Sequence, residues 1–475
     1  MNSKKQASPV HYIVVLAFCF LFRFIPGFAG INELGMAILG CFIGAVYGWI
    51  TIDMLWPSLI AILGVGLTSI GMTNVLAASI GNYIIVALIL CMGVIGIAMK
   101  LRAFDWLAAK LLANKAMQGK TWITIWAVFA LAWFLGFSNP IIMMIIFGAF
   151  VTSMLRTCGV QKNDKLAIFM YLGCALALMM GQILFPFLST GLVFYGSYLR
   201  MFPQIPTPMG AYLVFMIIMG LLMVTVWTLM MKFVFRVDAS PLKNFVTEES
   251  GVPKCTRDQK ISLWLFLAFI VLNIIPTLPL GQVSTFMSGM GIVGITIAII
   301  AIIPFIKAED GTPLANFEEL FHMCNWGQVW MVGFIMVMST YMSQDTGITT
   351  AMALLFRMFA GLSPWVFIIV AIVVAVILTN VANNMLIGVL VMPFLVNFGA
   401  QAGINPTMLV VILFIMVQFA IATPAASPIT AIAMTQELVD AKEMTKAALK
   451  ALPILIVVGL IIGIPVAMGV FAVMG

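Results

Sequence analysis

Uncharged residues able to hold an ion gather at four interruptions of apolar sequence. They are Ser138-Asn139-Pro140, Gly181-Gln182-Ile183-Leu184-Phe185-Pro186, Thr379-Asn380-Val381-Ala382-Asn383-Asn384 and Thr423-Pro424-Ala425-Ala426-Ser427-Pro428. Ser, Thr and Asn donate and accept hydrogen bonds without carrying charge. Helix ends at such breaks present free N–H groups and a positive dipole end to an anion, while unwound carbonyls offer hard oxygen ligands to a cation. Such a site can hold a carboxylate and sodium together. At membrane depth, unwound backbone is tolerated only where protein or a water-filled cavity satisfies it. Two pairs of breaks at matching places in two halves point to a solute site in a secondary transporter. The alternative at each tip is a Ser or Asn that only caps a helix or joins two helices; duplication favours the site. Gln182 and Gln418 are open between lining a cavity and bonding helix to helix.

The elements that position these breaks follow from composition. A chain of 475 residues, 63% hydrophobic and 8% charged, with mean hydropathy +1.18, exceeds what a soluble core can hide. Apolar runs near the ~20 residues of a spanning helix recur from His11 to Gly475, without the alternation of barrel strands, so the expected fold is an all-α polytopic membrane protein. The seven cysteines have no CxxC spacing and read as small core hydrophobes. The two histidines, His11 and His322, lack partners at ligand spacing, which argues against a protein-bound metal centre. The 37 methionines read as packing residues. Lys4 and Lys5 precede an apolar segment taken as a first transmembrane helix, not a cleaved leader.

Membrane segments are expected near 11–29, 34–50, 54–71, 81–99, 210–235, 261–280, 284–306, 328–343 and 452–474. Interrupted pairs lie at 121–156 and 364–399, and broken helices at 166–199 and 407–435. Residues 238–260 read as a linker between halves 1–237 and 261–475. A shift of 244 positions sets Asn139 on Asn383, and a shift of 241 sets Ser138-Asn139 on Thr379-Asn380; both registers remain open. If both interrupted pairs are re-entrant hairpins, 20 of the 23 basic residues share one face, all but Arg23, Arg200 and Arg357. The positive-inside rule makes that face cytoplasmic, with the N-terminus on it. The first hairpin then opens from the cytoplasm and the second from outside, giving two inverted-topology repeats, each with a re-entrant helical hairpin and a broken transmembrane helix. The net charge of +7 is thus a topology signal that needs no nucleic acid. Residues 100–120 read as an amphipathic cytoplasmic surface helix, with a counterpart at 347–361 outside.

The chain resembles the divalent anion:sodium symporter family of the ion transporter superfamily. The resemblance rests on Leu39-Gly40-Cys41-Phe42-Ile43-Gly44, Gly96-Ile97-Ala98-Met99-Lys100, Asn325-Trp326-Gly327 and Ser343-Gln344-Asp345-Thr346-Gly347. Ser138-Asn139 matches the Ser-Asn-Thr signature of the family's hairpin tips while Pro140 departs from it, and Thr379-Asn380 or Asn383-Asn384 stands at the second tip. The resemblance implies one sodium site at Ser138, Asn139 and Gly181, and a second at Thr379, Asn380 or Asn383 with Thr423 and Ala426. It implies substrate contacts among Ser138, Asn139, Asn380, Asn383, Asn384, Thr423 and Pro424. It also implies a homodimer in the cytoplasmic (inner) membrane, working by elevator-type motion, with sodium as coupling ion and no other cofactor.

The expected function is therefore sodium-coupled symport of a small anion, such as a di- or tricarboxylate. The alternative is a proton-coupled or exchange carrier of the same superfamily for a monocarboxylate or inorganic oxyanion. Intramembrane proton relays use ionisable residues; here Asp53 and Asp345, at helix ends, are the nearest, and capping is the favoured role for both. No His/Asp/Glu constellation serves an enzyme, and no charged ring serves a channel.

Overall fold

The computed structural model describes residues 8–112, 120–205, 208–244, 254–278, 280–322, 324–342, 346–347, 363–381, 383–424 and 426–474. Asp345 and nearly all of 347–361 lie outside this set, as do 113–119 of the basic surface segment and 245–253 of the linker. The first half contributes α1 (Pro9–Leu21), α2 (Glu33–Thr51), α3 (Trp56–Gly66), α4 (Met72–Ala78), α5 (Tyr83–Lys100), α6 (Ala103–Leu112), α7 (Thr121–Leu135), α8 (Pro140–Thr157), α9 (Lys165–Gly181), α10 (Ser189–Met201) and α11 (Met209–Leu229). The second adds α12 (Arg257–Ile274), α13 (Gln282–Ile302), α14 (Phe317–His322), α15 (Trp326–Met342), α16 (Pro364–Thr379), α17 (Asn384–Gln401), α18 (Pro406–Met416), α19 (Pro428–Ala433) and α20 (Ala441–Met474). Among the described residues the chain is all helical, apart from an isolated bridge between Lys307 and Pro313.

Seven of these helices are long and apolar enough to cross a bilayer: α2, α5, α8, α11, α13, α17 and α20, the α11 and α13 spans including the turns that follow them. Large apolar side chains stay on the outside, Phe305 at 85% and Trp264 at 69% exposure, as lipid-facing surface requires. The protein is a multi-pass membrane protein. The last span begins earlier than expected, at Ala441, and carries Pro453 and Pro465 within the helix.

Local sequence explains the breaks. Pro140 fits the first position of a helix, where its missing N–H costs nothing, and it pushes Asn139 into extended backbone (φ −146°, ψ 97°). Asn139 Oδ1 then accepts from Ile141 N and Ile142 N, both at 3.1 Å, and starts α8. Asn383 Oδ1 does the same for Met385 N (2.9 Å) and Leu386 N (3.4 Å) at the start of α17. The preceding helices end on Gly136 and Asn380, so both interruptions run three residues from C-cap to N-cap. Asn139 and Asn383 thus share one local role, the side-chain cap that starts a helix.

Packing interleaves the halves of the chain. Helix α8 rests on α19 and α10 on α17, so the main core draws on both sides of the linker. A second, smaller core joins α1 to α4 with one side of α15 (Phe334, Val337, Met338, Tyr341), whose other side (Val329, Val332, Met336) belongs to the main core. Phe137, at the first tip, is 2% exposed and stacks 5.2 Å from Phe266, with Phe104, Phe134 and Phe185 edge-on around it. Val381, its equivalent at the second tip, is 64% exposed.

Helices α7 and α9 touch through Gly136 and Gly181. A Cβ on Gly181 would lie 2.9 Å from the Gly136 Cα and collide with the Trp133 carbonyl. Gly181→Ala is therefore expected to force the two helices apart and lower stability by about 1–3 kcal/mol. Gly469→Ala, within α20 where a Cβ meets nothing within 4 Å, is expected to cost nothing and to raise stability by up to about 1 kcal/mol. Thermal unfolding of the detergent-solubilised protein measures both.

Candidate functional site

The breaks meet at one cavity of about 160 Å³. Ser138, Asn139, Pro140 and Ile141 line it from the first tip, and Asn383, Asn384 and Met385 from the second. Gln182 and Thr190 enter from the break between α9 and α10, and Ser427, Pro428 and Ile429 from the break between α18 and α19. The remaining wall is Met54, Met92, Ile95, Met99, Asn325 and Gln328.

The N-termini of α8, α10, α17 and α19 therefore face one volume, and that of α15 joins them. The Ser427 hydroxyl accepts from Ile429 N at 3.2 Å, capping α19 as Asn139 and Asn383 cap α8 and α17. Thr190 brings the first turn of α10 to the same place. None of the described lining residues carries a formal charge. The positive dipole ends and the amide groups are thus the attraction offered to an anion. The chain ends α7, α9, α16 and α18 beside the same breaks, so carbonyl oxygens for a hard cation lie close to those N–H groups.

A buried chain of hydrogen bonds joins the halves behind the cavity. Thr190 Oγ1 donates to Gln182 Oε1 (3.1 Å), and Gln182 Nε2 donates to Gln418 Oε1 (2.8 Å). The Gln418 oxygen also accepts from Asn384 Nδ2 at 2.9 Å, while Gln418 Nε2 donates to the Phe414 carbonyl at 3.1 Å. Gln182 both lines the cavity and bonds between helices, whereas Gln418 does only the second.

The other residues singled out from sequence sit elsewhere. Thr379 and Asn380 are buried behind the second tip and bind the unwound segment that follows α18. Thr379 Oγ1 donates to the Val417 carbonyl at 3.1 Å. Asn380 Nδ2 donates to Val376 O (2.8 Å) and Phe419 O (2.9 Å), and its Oδ1 accepts from Ala422 N at 2.8 Å. Thr423 Oγ1 completes the seam by donating to the Asn380 carbonyl at 2.5 Å. Gly181 is a packing contact, Ala426 is fully buried, and Pro424 is exposed; none of the three lines the cavity.

Sequence reasoning passed over Thr190, Gln328 and the methionine wall, named Ser427 only within its break and Asn325 only in the family resemblance. Asn325 and Gln328 carried a usable signal, being two amides spaced i, i+3 at the start of an apolar helix. Asn325 Oδ1 accepts from Gln328 N at 3.2 Å and so begins α15 with its cap in the cavity.

Asn380→Leu removes the partners of Phe419 O and Ala422 N while keeping side-chain volume. A loss of about 1–3 kcal/mol for each buried group left unpaired is expected. Asn383→Ala removes only a cap, at about 1 kcal/mol. Unfolding midpoints of the two variants, compared with the parent, check the order. No family model matches the chain, and no curated protein is similar enough to count as a relative.

Proposed function

We propose that this protein is a secondary active transporter that carries a small anion together with sodium by alternating access. The observation that carries the reading is the meeting of Ser138-Asn139 and Asn383-Asn384, distant in the chain, in one uncharged cavity ringed by helix N-termini. The resemblance to the divalent anion:sodium symporter family is part of the reading, and with it a homodimer in the cytoplasmic membrane moving as an elevator.

Re-entrant, oppositely directed hairpins are supported by what their outer ends touch. Phe367, near the start of α16, lies 4.0 Å ring to ring from Phe398, near the end of α17. Helices α7 and α8 both contact the turn at Ser240–Asn244. The ends of the broken helices agree: Tyr198, late in α10, bonds Thr407, early in α18, at 2.8 Å. At the opposite end, Arg156 pairs with Glu437, and Lys162 Nζ lies 2.7 Å from Asp440 Oδ1. Asn163 N donates to the Leu438 carbonyl at 2.9 Å, and Lys162 and Asn163 together hold the Asp440 carboxyl below the usual aspartate range. That clamp is intact at neutral pH and is lost as pH falls through the lowered value. These basic residues lie on the face that the positive-inside rule makes cytoplasmic, which orients repeats 1–237 and 261–475 in opposite senses.

Sodium coupling is favoured over proton coupling because none of the described residues lining the cavity has a titratable side chain. Anion charge is met by N-termini, neutral donors and a co-bound cation. In proteoliposomes, an inward sodium gradient is expected to drive anion uptake and a proton gradient alone is not. Asn139→Ala and Asn383→Ala should each cut uptake at least about tenfold, one lost charge-assisted hydrogen bond, while the protein still reaches the membrane. Sodium-independent uptake would remove the coupling claim, and full uptake in both variants would make the tips purely structural.

A further inference from the structure

A larger cavity, of about 420 Å³, lies away from the tips between α5, α10, α12 and α13. Its lining is mostly apolar, including Ile84, Phe187, Leu192, Ile292 and Ile295, with Arg200 among the lining residues. None of the described lining residues is acidic. Arg200 donates from Nη2 to Thr340 Oγ1 at 3.4 Å, a long bond that uses one of its five N–H donors. Of the 23 basic residues it is one of three placed away from the basic face.

The cavity accompanies an interruption that sequence reading did not find. Gly291 breaks α13 with φ 59° and ψ −178°, a region open essentially to glycine alone. A Cβ there would lie 2.7 Å from Tyr83 Oη, which accepts from Val293 N at 3.4 Å just past the break. Arg200 comes near the end of α10, Asn82 and Tyr83 at the start of α5, and Asn273 and Pro276 at the end of α12. The polar lining thus belongs to the ends of apolar helices, the level at which Tyr and Arg meet lipid headgroups.

We propose that this cavity binds an anionic phospholipid, its phosphate on Arg200 and an acyl chain among Ile84, Leu192, Ile292 and Ile295. Charge complementarity selects the headgroup, because a lone guanidinium with no acidic neighbour in the lining pairs bidentately with phosphate. The apolar volume beneath it selects a chain over a free ion. Bound lipid would touch Pro186 and Phe187 on the side of the first broken helix away from the tips, and would support the interrupted α13. The proposal stands apart from the transport reading.

The test uses the full chain in detergent with three probes: phosphatidylglycerol, phosphatidylcholine of the same acyl chains, and glycerol 1-phosphate. Phosphatidylglycerol should raise the unfolding midpoint by about 3 °C over the other two, since a ligand of the native state stabilises it. Native mass spectra should show it retained. Arg200→Gln should abolish the increment and Arg200→Lys keep part of it. Ser288→Trp, which fills the cavity from an exposed lining position and leaves the charge, should abolish it too. Equal shifts with phosphatidylcholine, an equal shift with glycerol 1-phosphate, or a full increment in Arg200→Gln or Ser288→Trp would each overturn the proposal.

Discussion

Peptide groups released where a helix breaks inside a membrane must find partners in the protein, and the organisation of this molecule follows from how that demand is met. Between α18 and α19 the chain leaves helical geometry with residues 417–422 buried. Its carbonyls at Val417, Phe419 and Ala420 are taken up by Thr379, Asn380 and Thr430, and its N–H at Ala422 by Asn380. One asparagine thus satisfies both a donor and an acceptor of a neighbouring strand of backbone, a task for which its amide has the required pair of groups. With those bonds in place, Asn383 and Asn384 are left to the cavity.

The first half meets the same demand by other means. Tyr212 donates to the Ile183 carbonyl at 2.6 Å, Gly191 N reaches Gln182 O at 3.3 Å, and the absence of side chains at Gly136 and Gly181 lets backbones approach directly. Close approach and hydrogen bonding are two solutions to one packing problem. The two breaks also differ in length: that after α9 spans 182–188 and that after α18 spans 417–427.

Much of this was legible in the sequence, and the portion that was not has physical reasons. Apolar runs of spanning length locate most helices to within a few residues, because hydropathy is an additive property of a window. Pro140 and Asn139 announce their break, since a proline at the first helical position and an asparagine cap act locally. The roles within Thr379–Asn384 were not separable: six polar or small residues in a row offer two registers, and only the path of 417–423 decides which amides are consumed by backbone. The place of Asn325 and Gln328 in the cavity was not legible because it depends on how α15 spans two cores, a tertiary fact. The break at Gly291 escaped because a lone glycine in an apolar stretch is ordinary in sequence and unusual only in its torsion angles.

The unequal seating of Phe137 and Val381 gives the two tips different mechanical character. Rings at four positions surround Phe137, and aromatic pairs of this kind contribute about 0.5–1.5 kcal/mol each beyond their buried area. Displacing that tip means parting it from α6 and α12, so it behaves as a stiff anchor. Val381 is 64% exposed, and the second tip is held instead by the hydrogen bonds of Thr379 and Asn380 behind it. The first tip is thus held by rings that reach it from two other helices, and the second by amide and hydroxyl bonds to a single unwound segment.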